Sequence, residues 1–223
     1  MLVVQCDFDD TITVGNVSTL IREAFAPEDW VDMEREYYAG RYSVEESNIR
    51  QFARITASQA EIERYVVQRS RVRPGFVPFV EKCRQAGIRL MVASSGLDLY
   101  IRPILASVGL GELEAYSARA TVTPAGIHVS YSDASGSAID RGFKESHVRN
   151  LKAGGDTVVY VGDGASDVVA ARESDHVIAR STLERHFAAN GLPHYTFQDF
   201  TDVWRHVEAI HQGYRSRGDL PVP

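Results

Sequence analysis

The chain has 223 residues, 24 basic against 30 acidic side chains, a formal charge of −6 and 44% hydrophobic residues. That composition fits one globular catalytic core with a small insert and excludes a disordered or collagen-like chain. No apolar run approaches the roughly 18 residues of a membrane span, and without a Lys/Arg cluster there is no electrostatic footprint for nucleic acid.

The first apolar run, Leu2 to Cys6, is β-branched in its middle and predicts a buried strand that delivers Asp7, Asp9 and Asp10 at its C-terminal end. An N-terminus that meets paired acids so early does not read as a secretory signal, so a cytoplasmic protein without membrane attachment is expected. From 15 to 73 the apolar spacing is helical: Val17, Leu20, Ile21 and Phe25, then Ile49, Phe52 and Ala53, with Pro27 and Gly40 as punctuation. A second strand at 88–93 runs into Ser94-Ser95-Gly96. A hairpin is expected across 113–131 around Thr123-Pro124-Ala125-Gly126. A third strand at 157–161 ends in Gly162-Asp163-Gly164, and a short one follows at His176–Ala179. A helical pattern follows each of the three glycine- or acid-rich strand ends. The units are therefore strand-loop-helix, which predicts an α/β fold with a doubly wound parallel sheet whose ligands bind beyond the strands' carboxyl ends. Residues 1–14 and 74–223 form the expected core, with 15–73 as an inserted helical cap hinged near Val14-Gly15 and Arg73-Pro74-Gly75. Cys6 and Cys83, each in an apolar segment, are expected as buried thiols.

Asp7 and Asp9 leave one strand two residues apart, and close carboxylates repel unless a cation or proton intervenes. Asp163 and Asp167 bring two more acids to another strand end, an oxygen-only set that suits Mg²⁺. Ser94 offers a hydroxyl, and Ser95 and Gly96 offer backbone N–H groups, to an anion. Lys144, at the start of a helical stretch, supplies a compact positive charge, whereas Lys152 has the spacing of a solvated helix end before Gly154-Gly155. Carboxylates, metal, hydroxyl and ammonium describe a phosphoryl-transfer site with an acid-base partner.

The segment DFDDT at 7–11, Ser94, Lys144 and GDGASD at 162–167 stand in the order and spacing of the haloacid dehalogenase superfamily, and the chain resembles its phosphatases. The helical insert is similar to the cap of the phosphoserine-phosphatase-like branch. The stretches FAPEDW, YSVEES, SSGLDLYIRP and HYTFQDF look most like the methionine-salvage members. The resemblance implies a Rossmann-like core, Mg²⁺ as cofactor and an aspartyl-phosphate on Asp7. It makes Asp9 the acid and then the base. The metal ligands would be Asp7, the Asp9 backbone carbonyl and Asp163. Thr11, Ser94, Ser95, Gly96 and Lys144 would hold the phosphoryl group, and Asp167 would orient Lys144 or a metal-bound water. The substrate it implies is a small phosphorylated metabolite that fits beneath a cap, a keto or enolic sugar-like phosphate of methionine salvage, handled by a monomer or homodimer. Phosphoserine is the alternative, and a non-catalytic phosphate-binding module is a further one. The phosphoserine-specific members carry a glutamate nine residues after the nucleophile, where this chain has Asn16.

Several residues read more plainly. Asp98 is expected to cap the helix from Leu99. Tyr37, Tyr38 and Tyr42 either line a pocket or fill the cap core, and Arg50 and Arg54, four residues apart, either bind a substrate anion or face water. The seven histidines lack metal-ligand spacing and are expected at the surface.

Overall fold

A computed structural model describes residues 1–216. The elements in chain order are β1 (Leu2–Cys6), α1 (Val17–Phe25), α2 (Trp30–Tyr38), α3 (Val44–Phe52), α4 (Gln59–Arg69), α5 (Phe76–Ala86), β2 (Arg89–Leu97), α6 (Asp98–Ser107), β3 (Ala115–Thr123), β4 (Gly126–Ser132), β5 (Ala138–Ile139), α7 (Phe143–Ala153), β6 (Thr157–Gly162), a short 3-10 turn (Ala165–Asp167), α8 (Val168–Glu173), β7 (His176–Ala179), α9 (Ser181–Ala189), β8 (Tyr195–Thr196) and α10 (Phe200–Ser216). Among the described residues no helix is long and apolar enough to cross a membrane.

The strands form one sheet in the order β5-β4-β3-β2-β1-β6-β7-β8. Pairing is parallel from β3 through β8, and the hairpin of β3 and β4 turns antiparallel at Pro124-Ala125. The sheet has two cores because consecutive strand residues face opposite sides. Leu2, Val4 and Cys6 pack with α5, α6 and α10, while Val3 packs with Met91, Val148, Val158 and Tyr160 on the other face. A strand covered on both faces is apolar almost throughout, and each fully buried valine or leucine contributes about 1.5–3 kcal/mol. Cys6 and Cys83 are buried free thiols.

Register sets the site. Cys6 pairs with Val92 on one side and with Val161 on the other, so Asp7, Ser94 and Asp163 leave the sheet at the same edge. β2 runs further than expected, through Ser94-Ser95-Gly96 to Leu97, past an irregularity in its pairing with β3. The cap of α6 is consequently Leu97 and not Asp98: Asp98 is the first helical residue, makes no capping bond, and accepts the Ala120 N–H at 2.9 Å instead, tying α6 to β3.

Four helices, α1 to α4, occupy the insert. Its two ends are joined by an antiparallel bridge between Thr13 and Val72, by Val14 N–H to Arg71 O (2.8 Å) and by Arg73 N–H to Ile12 O (2.7 Å). The buried Arg73 side chain donates to the carbonyls of Thr11, Asp10 and Thr13. Docking of the insert is uneven. α3 buries Glu45, Ser47, Asn48, Gln51 and Phe52, and its last turn lies so close to the β3–β4 hairpin that a Cβ on Gly126 would sit 1.9 Å from Ala53 O. None of the residues of α2 is buried. The histidines also divide: His147, on α7, is buried at 4% exposure between the rings of Tyr116 and Phe143, which corrects the expectation that all lie at the surface.

Candidate active site

β1 delivers Asp7, whose N–H continues the parallel ladder to Val161 O at 2.9 Å. Beyond it the chain turns sharply. Asp10 has φ of 54°, and its carbonyl is gripped by Arg73 and Arg180, each at 2.7 Å. α7 brings Lys144, and two long-range contacts fix the helix start: Gln5 Nε2 donates to Lys144 O (2.9 Å), and Phe143 N–H donates to Glu45 Oε1 (3.0 Å).

Lys144 Nζ lies 2.7 Å from Asp7 Oδ1 and 2.6 Å from Asp167 Oδ1, with all three side chains buried. Asp167 is fully engaged: Oδ1 also accepts the Tyr160 hydroxyl (2.6 Å), and Oδ2 accepts the N–H groups of Asp163 (3.0 Å) and Gly164 (2.7 Å). It therefore orients Lys144 and folds the turn after β6. Carboxylate oxygens of Asp7, Asp163 and Asp167 fall within 4.8 Å of one another. Burial, and then the charge of Asp167, push Asp7 up to about 7; burial, Asp167 and Asp7 push Asp163 up to about 8. Burial opposes the charge on Lys144, but Asp167 and Asp7 outweigh it, so its pKa stands well above the ordinary lysine value. Three buried carboxylates share one ammonium, and Asp167 is already saturated. Asp7 and Asp163 are left as hard oxygen donors under mutual repulsion, a fit for a small divalent cation.

Asp9 sits beside them with both oxygens occupied, Oδ1 by the Val17 N–H at the start of α1 (2.7 Å) and Oδ2 by the Tyr100 hydroxyl (2.5 Å). Burial raises its pKa against the pull of those two hydrogen bonds. Ser94 is buried, and its Oγ accepts the Gly96 N–H at 3.1 Å, so that N–H is not free for an anion as expected. Ser95 is also buried; its carbonyl accepts Asn48 Nδ2 (2.8 Å) and the Tyr131 hydroxyl (2.7 Å). Thr11 is not among the residues that line the cavity, and its hydroxyl donates to Asp163 Oδ1 (3.0 Å).

Asp7, Asp9, Ser94, Ser95, Lys144 and Asp163 open onto a cavity of about 490 Å³ beneath the insert. Tyr37 and Tyr38 line it, whereas the Tyr42 ring lies under the Arg50 guanidinium at 4.4 Å. Arg50 pairs with Glu46, Arg54 with Asp29 and Lys152 with Asp175, all away from the cavity. Asn16 caps α1 by accepting the Thr19 N–H at 2.8 Å. The wall holds residues that the motifs did not point to: Arg22, buried and paired with Glu34 at 3.2 Å, and Ser47, Asn48 and Gln51 of α3. One signal was available, since Ser18 and Arg22 are four apart on a helix face shared with Ile21.

The chain matches the haloacid dehalogenase-like hydrolase family over residues 4–172 and belongs to it, as an enzyme of the phosphatase kind. It is 32% identical over 216 residues to a 2-hydroxy-3-keto-5-methylthiopentenyl-1-phosphate phosphatase of Brevibacillus brevis, covering 95% of this chain and 97% of that one. It is 36% identical over 207 residues to the bifunctional enzyme MtnB/MtnX of Bacillus licheniformis, covering 91% of this chain and 48% of that longer one. Among solved structures, a phospho-aspartyl intermediate analogue of phosphoserine phosphatase superposes with a TM-score of 0.68 at 18% identity, covering 92% of this chain and 98% of that one, a likeness of fold.

Proposed function

We propose that this protein hydrolyses a small phosphomonoester through Asp7, and that 2-hydroxy-3-keto-5-methylthiopentenyl-1-phosphate is its substrate. The observation that carries the reaction is Lys144 held between Asp7 and Asp167 in a buried site. An Asp7 oxygen attacks phosphorus as the bond to the leaving oxygen breaks, and that oxygen takes a proton from Asp9. Water then attacks the aspartyl-phosphate, Asp9 takes its proton, and the bond to Asp7 breaks to release inorganic phosphate. Lys144 offsets charge on Asp7 and on the phosphoryl oxygens throughout. When bound, Mg²⁺ neutralises phosphoryl charge; Asp7, Asp163 and the Asp9 carbonyl are the groups that would hold it.

Three features support the substrate. The Brevibacillus brevis relative carries that activity in its name. The cavity wall includes the neutral side chains Ser47 and Gln51, which suit hydroxyl and keto oxygens. Asn16, an amide engaged as a helix cap, gives a substrate ammonium no carboxylate partner. A panel of phosphorylated metabolites ranked by kcat/KM tests the assignment. The keto-enol phosphate is expected to lead. A tenfold preference for phosphoserine, about 1.4 kcal/mol in transition-state binding, overturns the substrate. Full turnover in Asp7→Asn overturns the reaction.

A further inference from the structure

Tyr100 lies on α6, four residues beyond Gly96, and is completely buried, yet it borders the catalytic cavity. Its hydroxyl donates to Asp9 Oδ2, while Asp9 Oδ1 is held by a backbone N–H. The approach depends on a missing side chain. A Cβ on Gly96 would fall 2.0 Å from the Tyr100 oxygen and 2.8 Å from Asp9 Oδ2, so the strand end is pared back where phenol and carboxylate meet. The two partners of Asp9 differ in kind: a backbone N–H only donates, whereas a phenol donates or accepts and can keep its contact whether or not the carboxyl carries a proton.

We propose that Tyr100 is a positioning residue for the leaving-group step, with Gly96 the residue that admits it. The phenol fixes the Asp9 carboxyl in one rotamer, at one distance from the leaving oxygen, through both halves of the reaction. The inference rests on the reading of Asp9 as the group that protonates that oxygen. Its consequence depends on the leaving group. A poor one, such as an alkoxide, needs a well-placed proton in the transition state, and a good one, such as dinitrophenolate, departs without it.

The test compares wild type with Tyr100→Phe, which deletes one oxygen, on dinitrophenyl, phenyl and alkyl phosphates at saturating Mg²⁺. For Tyr100→Phe, kcat is expected to fall roughly tenfold or more on the alkyl and phenyl esters, to stay within about threefold on the dinitrophenyl ester, and to leave KM nearly unchanged. Gly96→Ala, whose Cβ would meet both the phenol and Asp9 Oδ2, is expected to lose at least as much on the alkyl and phenyl esters, and it stands in should Tyr100→Phe prove poorly folded by thermal unfolding. An equal loss on all three esters, or no loss, overturns the positioning role and leaves the phosphatase reading intact. A wild-type chain that hydrolyses none of them overturns both.

Discussion

Glu45 of the insert accepts the backbone N–H of Phe143, the residue before Lys144, across 98 positions of sequence. The N-cap of α7 is Gly142, which has no side chain to cap it, so the insert supplies the acceptor that this helix start lacks. Glu45→Ala is expected to lower the melting temperature by an amount worth about 1–2 kcal/mol, the usual cost of a lost cap, and to reduce kcat. Glu45→Gln keeps an acceptor oxygen and should restore most of both. Parallel calorimetry and initial rates on the two variants check this.

Lys144→Met removes the ammonium and leaves Asp7 and Asp167 as close, buried, uncompensated acids. A loss of about 3–5 kcal/mol in stability is expected from breaking such a pair, together with a fall of ~10²–10³ in kcat from the lost charge stabilisation. Urea midpoints and rates at saturating substrate measure the two separately.

Metal removal should couple to pH. The folded-state values of about 7 for Asp7 and about 8 for Asp163 lie above the ordinary carboxylate value of 3.8. Without a cation the folded protein therefore binds protons that the unfolded chain releases, and this contribution to stability is lost as pH rises through that range. EDTA is expected to abolish turnover, and the gain in melting temperature on adding Mg²⁺ should be larger at pH 8 than at pH 6. Asp163→Asn should shrink that gain at both.

His147 carries the opposite sign. Burial drives it down from 6.5 to about 4, against the nearby charges of Asp133 and Glu114, and its Nε2 has no hydrogen-bond partner among the described residues. The unfolded chain takes up a proton that the folded one refuses, so stability present at neutral pH falls as pH drops below 6.5, by about 2 kcal/mol at pH 5. Denaturant midpoints at pH 7.5 and 5 should converge in His147→Gln relative to wild type.

What could be read from the sequence followed from periodicity and register. Three apolar runs ending in Asp7, Ser94 and Asp163 need only parallel pairing to bring those groups to one edge, and the pairing of Cys6 with Val92 and Val161 does so. Contacts set by tertiary packing were not legible. Nothing near Thr11 reports that Asp163, 152 positions away, takes its hydroxyl, and nothing near Asp98 reports that β2 extends to Leu97 and moves the helix cap. The meeting of Tyr100 with Asp9 was equally hidden, since it depends on how α6 leaves the strand over Gly96.

The uneven docking of the insert decides how its roof can lift. α3 is pinned by Asn48 to Ser95 O, by Ser43 to Asp140 O, by Glu45 to Phe143 N–H and by the tight seat of Gly126 under Ala53, and the tethers at 12–14 and 71–73 are themselves hydrogen-bonded. Tilting the whole insert would break all of these at once. α2 carries no buried residue and holds Tyr37 and Tyr38 over the cavity, so raising it exposes the phosphoryl site at the smallest loss of packed surface. Substrate and product are therefore expected to pass beneath α2, held on this side mainly by the Arg22–Glu34 pair, while the Lys144 side, tied to α3 through Glu45 and Phe143, stays assembled.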